Sequence, residues 1–371
     1  MSSGSQTLPE SEILKIFEER FNPDEEYLGI DKEVNRTEPL VSVYIVTYQH
    51  APFIRDCLDG VLMQKTSFPI EILIGEDEST DGTREICMEY AEKHPDKIRL
   101  FLRDRKTSQL YDDDGNIVCR FNGKWLRKCK RGNYLAFCEG DDYWTDPFKL
   151  HKQISLMKQH PECHLSFHPV ELIWGRNTGR PQIYKKHSDH NRIYSTEDLI
   201  IGGGEFCPTV SLVINTETSQ FDPWRFKMPV QDYFSQVVAS FNGGALYINE
   251  VMAVYRKGVP GSWSEKHKSY LKMCEHSLKM INANRIFDKV TEFKYHRSFK
   301  TREAILFKKY SLFKIYDYDR TTIDDVKKLT NKYLHGKLRV KGYLYILMSF
   351  FYYKIKMKYL FKIKNSLKND K

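Results

Sequence analysis

The 371-residue sequence has eight cysteines, and no two of them form a CxxC pair. A zinc site or a disulfide framework is therefore not expected. Cys57, Cys87, Cys119, Cys129, Cys138, Cys163, Cys207 and Cys274 are irregularly spaced, several within apolar runs. They read as reduced, buried thiols that suit a cytoplasmic location. Nowhere do apolar residues run for the ~18 to 20 positions that a membrane-spanning helix needs. The longest uncharged run of interest, 342–353, has twelve. The opening MSSGSQTLPESEILKIFEER lacks a basic segment followed by a continuous apolar one, so no signal peptide is expected. The glycines of GGGEFCPTV (202–210) have neither GxGxxG spacing nor a following GK[ST], and are no nucleotide fingerprint. No internal repeat is visible.

What is present is a chain able to bury a sizeable core, with 41% hydrophobic and 29% charged residues. Its charge is divided. Residues 251–371 carry 29 Lys and Arg against 10 Asp and Glu, a net +19 within a whole-chain +9. The first 250 residues are correspondingly acidic, at −10. An acidic front and a basic tail suggest two jobs.

The chain divides on this reading into an N-terminal helix and linker (1–38), a domain of alternating elements (39–260) and a helical basic region (261–371). LVSVYIVTY (40–48), IEILIGE (70–76), KIRLFLRD (97–104) and LAFC (135–138) are short β-branched or apolar runs that predict strands. The apolar positions of 53–64 recur at helical spacing. STDGTREICMEYAEKH (79–94) opens on Ser, Thr and Asp, which cap helices. Strand and helix thus alternate, which predicts an α/β fold with a mainly parallel sheet flanked by helices. Residues 109–121 predict an Asp-Gly hairpin. Asp112, Asp114 and Asn116 mimic a calcium loop, but Ile117 and Gly123 stand where that loop needs Gly and Glu. Helices are predicted over 148–158 and 229–241, strand pairs over 163–174 and 245–258, a polar loop over 175–195, and a Gly-rich turn into a strand over 202–215.

Ligands of such sheets bind beyond the carboxyl ends of the strands. Tyr48, Glu76, Asp77 and the cluster Glu139, Gly140, Asp141, Asp142 fall there. Carboxylates packed so closely repel one another unless a cation sits among them. Oxygen ligands in a loop suit a hard divalent ion, Mg²⁺ or Mn²⁺, sharing its coordination with phosphate oxygens. A cap and surface turn before the 148–158 helix would use the same residues, and both readings stand at this point.

VSVYIVTYQHAPFI, IEILIGEDESTDGT and YLAFCEGDDYWTDPFKL follow one another in the order and spacing of family 2 glycosyltransferases with the GT-A fold, and the sequence resembles that family over roughly 39–260. The resemblance implies a nucleotide-diphosphate-sugar donor, UDP-linked, with Val46, Thr47 and Tyr48 beside the nucleotide, Glu76 in the same acidic motif, and Asp77 on the base. It places a DXD-like motif at Glu139-Gly140-Asp141, with Glu in place of the first Asp. Glu139 then reaches the ribose or a metal-bound water, and Asp141 or Asp142 ligates Mn²⁺ or Mg²⁺. It also implies a basic residue near the nucleotide, for which Arg103, Arg105, Arg120, Lys124 and Arg127 all qualify. Asp232, at the start of a helix, matches the catalytic base of an inverting transfer. Residues 255–267 occupy the place of a closing loop, with Trp263 over the sugar. His168 and Trp174 are open as acceptor-pocket or structural residues. The implied acceptor is a glycan or lipid-linked glycan of bacterial surface polysaccharide synthesis.

The basic tail, ending GYLYILMSFFYYKIKMKYLFKIKNSLKNDK, reads equally as core-packing helix or as an interfacial membrane segment on the inner face of the cytoplasmic membrane. No nucleic-acid motif accompanies it, and no nucleic-acid partner is expected. A nucleotidyltransferase would want a Gly/Arg-rich loop where TYQHAPF stands. A decayed binding scaffold would not be expected to keep Asp77, Asp141, Asp142 and Asp232.

Overall fold

The computed structural model describes residues 8–22, 26–27, 38–113, 115–175, 177–218, 226, 228–267, 269–312 and 320–346. The chain forms two compact units, 1–261 and 262–371.

The first unit is built on a nine-stranded sheet. Val41–Thr47 lies at its middle, paired in parallel with Ile70–Glu76 on one side and Tyr134–Phe137 on the other. Ile98–Leu102 continues the parallel run beyond Ile70–Glu76. These strands bury nearly every side chain. That is the expected pattern when both faces of a parallel sheet are covered, and it explains their continuous apolar runs. Ile54–Leu62 and Thr83–Lys93 are the crossover helices. Cys57, Leu58 and Val61 of the first and Cys87 and Ala91 of the second join the main core with Val43, Ile45, Ile72 and Ile74. The sheet changes direction beyond Tyr134–Phe137, where Val213–Asn215 pairs antiparallel to it. Leu165–Phe167, Ala245–Tyr247 and Arg192–Tyr194 complete the far half. The mixed, mainly parallel α/β sheet flanked by helices agrees with the sequence.

A second sheet of four strands starts directly after Asp142. Tyr143–Trp144 pairs with Ala253–Lys257, which pairs with Val170–Trp174, which pairs with Asn177–Tyr184. The last of these strands, like Arg192–Tyr194, falls inside the stretch expected to be polar loop. Both are edge strands, and an edge strand with one open face keeps a polar composition. The Gly-rich stretch is a turn that leads into strand Val213–Asn215, as expected. Before it, Thr196–Gly202 is a helix opened by a capping box of Ser195 and Asp198, and Gly203 ends it at φ +71°. Gln109–Tyr111 and Ile117–Arg120 form the expected hairpin. Helix Glu10–Glu19 buries Ile13 and Phe17, and Phe17 packs against Phe121 and Trp125 of the same unit.

The described part of the second unit is helical: Trp263–Lys266, Tyr270–Val290, His296–Leu312, Arg320–Tyr333 and the segment 336–346. Leu278, Ile281, Phe287, Phe299 and Phe307 are buried there. Most of the uncharged run 342–353, and the lysines after it, lie outside the described residues.

Candidate active site

Thr47, Glu76, Leu102 and Phe137 end four mutually parallel strands, so the loops that follow them converge on one edge of the sheet. The ladders extend into those loops. Asp77 N–H donates to Thr47 O at 3.1 Å, Gly140 N–H to Val46 O at 3.2 Å, and Arg103 N–H to Glu76 O at 2.8 Å.

The acidic turn after the second strand works mainly on itself. Glu76 is fully buried. Its Oε1 accepts from Ser79 N–H at 2.7 Å, and its Oε2 accepts from Glu78 N–H at 3.2 Å and pairs with Arg84. This carboxylate is committed to shaping the turn. Asp81 takes hydrogen bonds from Thr83 and from Ala51 N–H. Burial pushes its carboxyl up, but these bonds outweigh it and hold it below the usual range. Through them the STDGT segment grips the loop after the first strand.

Asp77, 7% exposed, accepts from Ser108 Oγ at 3.0 Å and Gln109 Nε2 at 3.3 Å. Arg105 Nη1 lies 3.3 Å from its Oδ2. The Arg105 guanidinium also lies 3.8 Å from the centre of the exposed Tyr48 ring. Tyr48, Arg105 and Asp77 thus form one surface. Thr47 is 1% exposed, and its Oγ1 faces His50 Nδ1 at 3.2 Å.

Glu139, Asp141 and Asp142 bring one carboxylate oxygen each within 4.8 Å of one another. Asp142 is 1% exposed. Its Oδ1 accepts from Arg256 N–H at 2.7 Å, while its buried Oδ2 has no hydrogen-bond partner among the described residues. Burial, then Asp141 and Glu139, raise its pKa well above the carboxylate range. Glu139 is likewise raised, to about 8, by loss of solvation and then by Asp141 and Asp232. Its side chain is exposed by surface area, so water relieves part of this, but the neighbouring carboxylates still set the direction. Glu139 and Asp142 resist ionisation, and Asp142 carries an orphaned buried oxygen; with Asp141 beside them the cluster fits a divalent cation. A positive charge among them would oppose both shifts. The intervening Gly140 is required by packing. A Cβ there would meet Thr47 Oγ1 at 2.5 Å and His50 Nδ1 at 2.8 Å.

Asp232 stands in the first turn of helix Gln231–Ala239, where the helix dipole favours a carboxylate. Thr209 Oγ1 donates to its Oδ2 at 3.1 Å. Its charge contributes to raising both Glu139 and Tyr44, so it belongs to the same cleft.

Arg256 carried no motif signal, and Arg127 was only one of several eligible basic residues. Arg127 donates to Ser235 Oγ at 3.1 Å, on the Asp232 helix, and its guanidinium lies 5.6 Å from the Tyr44 ring centre. Burial pushes Tyr44 up to about 12, opposed by Arg127. Arg256 donates to Asp141 O at 2.8 Å and pairs with Asp56, clamping the carboxylate loop onto the second sheet. His168 is fully buried and engages Pro169 O through Nδ1 at 2.8 Å, whereas Trp174 is 59% exposed. Trp263 heads a short helix of the second unit, and its side chain lies outside the described residues.

Residues 42–110 match the family described as Glycosyl transferase family 2. An uncharacterized protein of Mycobacterium tuberculosis, Rv1520, is 35% identical over 233 residues, which are 62% of this chain and 61% of that protein. The chain therefore spans less than two thirds of the mycobacterial relative. The putative teichuronic acid biosynthesis glycosyltransferase TuaG of Bacillus subtilis is 31% identical over 224 residues, which are 59% of this chain and 79% of TuaG. Among solved structures, S. aureus TarS 1-349 in complex with UDP-GlcNAc superposes with a TM-score of 0.56 at 13% identity, covering 86% of this chain and 91% of that one. The fold is the GT-A fold of that structure, and by its resemblance to TuaG and its family match the chain belongs to glycosyltransferase family 2.

Proposed function

We propose that the protein is an inverting, metal-dependent glycosyltransferase that moves a sugar from a UDP-linked donor to a glycan or lipid-linked acceptor. The observation that supports this reading is that Asp232 lies near enough to Glu139 to help raise its pKa, while Glu139, Asp141 and Asp142 cluster at the carboxyl edge of the sheet. One carboxylate stands apart from the cluster by element yet shares its field, as a base facing a donor site must.

Tyr48, Asp77 and Arg105 receive the base, with Val46 and Thr47 supplying the backbone beneath it. Glu139 faces the ribose, and Asp141 and Asp142 hold Mn²⁺ or Mg²⁺. When bound, such an ion stabilises the charge of the departing diphosphate. Asp232 takes the proton of the acceptor hydroxyl as that oxygen bonds to the sugar C1 and the C1–diphosphate bond breaks. A single displacement inverts the anomeric centre. The description of TuaG as a teichuronic acid enzyme supports a surface polysaccharide as the destination. Screening UDP- and GDP-sugars for metal-dependent hydrolysis tests the reading. Hydrolysis of none of them, or hydrolysis indifferent to chelator, overturns it.

We further place the protein on the inner face of the cytoplasmic membrane, held by its tail. No helix among the described residues is long and apolar enough to cross a membrane. Val340 and Leu344, one turn apart on the 336–346 helix, are 60% and 53% exposed; Val340 precedes the uncharged run and Leu344 lies within it. Anionic vesicles should bind the full chain in low salt and lose it in high salt. Equal partition onto neutral vesicles would remove the electrostatic part of this reading.

A further inference from the structure

The parallel strands begin at the edge of the sheet opposite the donor site, and a cavity of about 510 Å³ opens there. It lies among three connections: the segment before strand Ile70–Glu76, the turn before strand Ile98–Leu102, and Arg131 ahead of strand Tyr134–Phe137. The seven residues of Ile70–Glu76 separate it from the acidic turn, roughly 20 Å at ~3.3 Å per residue. Its volume is that of a small-molecule site. Each connection brings one cation to the lining: Lys65, Lys97 and Arg131. Arg131 is fixed by a buried carboxylate. Its N–H and Nε donate to the two oxygens of Glu71, both at 2.8 Å. Glu71 is 2% exposed and also accepts from Ser42 Oγ at 2.5 Å and Arg99 Nη1 at 3.1 Å. Burial pushes its carboxyl up, but the bonds from Ser42 and Arg131 outweigh this and hold it below the usual range. It therefore stays a charged anchor. The terminal nitrogens of Arg131 and the Nζ atoms of Lys65 and Lys97 make no hydrogen bond or ion pair with the described residues. Lys65 Nζ lies 5.8 Å from the exposed Phe148 ring.

We propose that this cavity is a second binding site and that its occupant is a phosphomonoester, a small molecule carrying one tetrahedral dianion. The site is independent of the transferase reading. A guanidinium anchored through Nε keeps its two terminal nitrogens for a bidentate contact with an oxyanion. Two ammonium groups come from the other connections, so a tetrahedral anion can meet donors from three directions, whereas a planar carboxylate offers only two oxygens. The local charge agrees. Glu26, Arg99, Glu71 and Arg131 form a chain of ion pairs that neutralise one another. Lys65 and Lys97 add two positive charges, and the exposed Asp96 opposes one of them. This excess of cations stands against the −10 carried by the first 250 residues. Inorganic phosphate alone would fill only part of the volume, which leaves room for a sugar or glycerol attached to it. A free sugar phosphate and the headgroup of a phosphatidate present this same dianion. Glu71 is committed to its four donors, so the site binds its occupant without reacting with it.

Calorimetry on the full chain, with chelator present, tests this with three probes: glucose 1-phosphate, dihexanoyl phosphatidate and glucuronate. One or both phosphates should bind, more weakly as salt rises, and glucuronate at least about tenfold more weakly. The tighter phosphate identifies the source of the dianion. Lys65→Glu with Lys97→Glu should weaken that phosphate about tenfold or more and leave thermal protection by UDP with Mn²⁺ unchanged, which also shows that the variant folds. Arg131 is kept, because its removal would leave Glu71 buried with one cation fewer. Binding of neither phosphate, equal binding of glucuronate, or competition of the phosphate with UDP and Mn²⁺ overturns the proposal. Binding that survives the charge reversal belongs to cations elsewhere, such as those of the basic tail, and overturns it too. Phosphate binding without UDP protection removes the transferase reading and leaves this site; UDP protection without phosphate binding does the reverse.

Discussion

Thr209 Oγ1 donates to Asp232 Oδ2 at 3.1 Å, joining the turn before strand Val213–Asn215 to the helix that carries the proposed base. The bond leaves Oδ1 for an acceptor hydroxyl and restrains the carboxylate's rotation. Asp232→Asn should preserve nucleotide binding and lower the transfer rate ~10²- to 10⁴-fold, the usual loss for a general base. Thr209→Val should lower it less, since the base remains but is no longer aimed. Single-turnover rates with saturating donor decide this. An Asn variant with wild-type single-turnover rates would show that the base lies elsewhere.

Removing the cation should remove nucleotide binding. UDP at about 100 times its dissociation constant should add ~2.7 kcal/mol to unfolding, but only with Mn²⁺ or Mg²⁺ present. Asp142→Asn takes away the orphaned buried oxygen's charge and should abolish most of this gain. Thermal unfolding with UDP, with and without chelator, is the measurement, and equal protection under both conditions would exclude a metal-held diphosphate.

Gly140→Ala should be far more damaging than a one-carbon change in a loop normally is. The added methyl would overlap Thr47 Oγ1 and His50 Nδ1, and overpacking of this kind costs about 1–3 kcal/mol. Because the displaced segment holds Glu139 and Asp141, metal-dependent UDP protection should fall together with stability. A variant with wild-type melting and UDP protection would mean that the loop yields freely.

Lys149 predicts a pH signature. It is fully buried, donates to Gln153 Oε1 at 2.7 Å, and its Nζ lies 4.2 Å from the Trp144 ring. Burial pushes its pKa down to about 7, against smaller opposing effects of Cys138 and Asp146. An unfolded lysine titrates near ~10.4. Between these values the unfolded chain holds a proton that the folded chain has released, so this group's contribution to stability rises with pH across that window. Below it both states are charged, and the fold bears the full cost of a buried ammonium. The unfolding free energy of wild type relative to Lys149→Met should therefore increase from about pH 7 to about pH 9. A constant difference would show that Lys149 titrates normally.

Much of this molecule is determined locally. The runs VSVYIVT and IEILIGE are apolar on both alternating faces, which only a covered parallel strand tolerates, and each ends on polar residues that the sheet then gathers on one edge. The carboxylates 139–142 and Asp232 are legible for the same reason: charge placed at the end of a strand or the start of a helix needs a physical purpose. Residues 175–195 were not legible as strands, because an edge strand with an open face has the composition of a loop. Nor could spacing show that Glu76 spends its carboxylate on Ser79, Glu78 and Arg84, or that Arg105 reaches both Asp77 and Tyr48. Those outcomes depend on which side chains meet across separate loops. The pairing of Arg256 with the loop of Asp141 and Asp142, and the gathering of Lys65, Lys97 and Arg131 about one cavity, join residues far apart in the chain. Contacts of that range leave no period in a sequence, and only tertiary packing decides them.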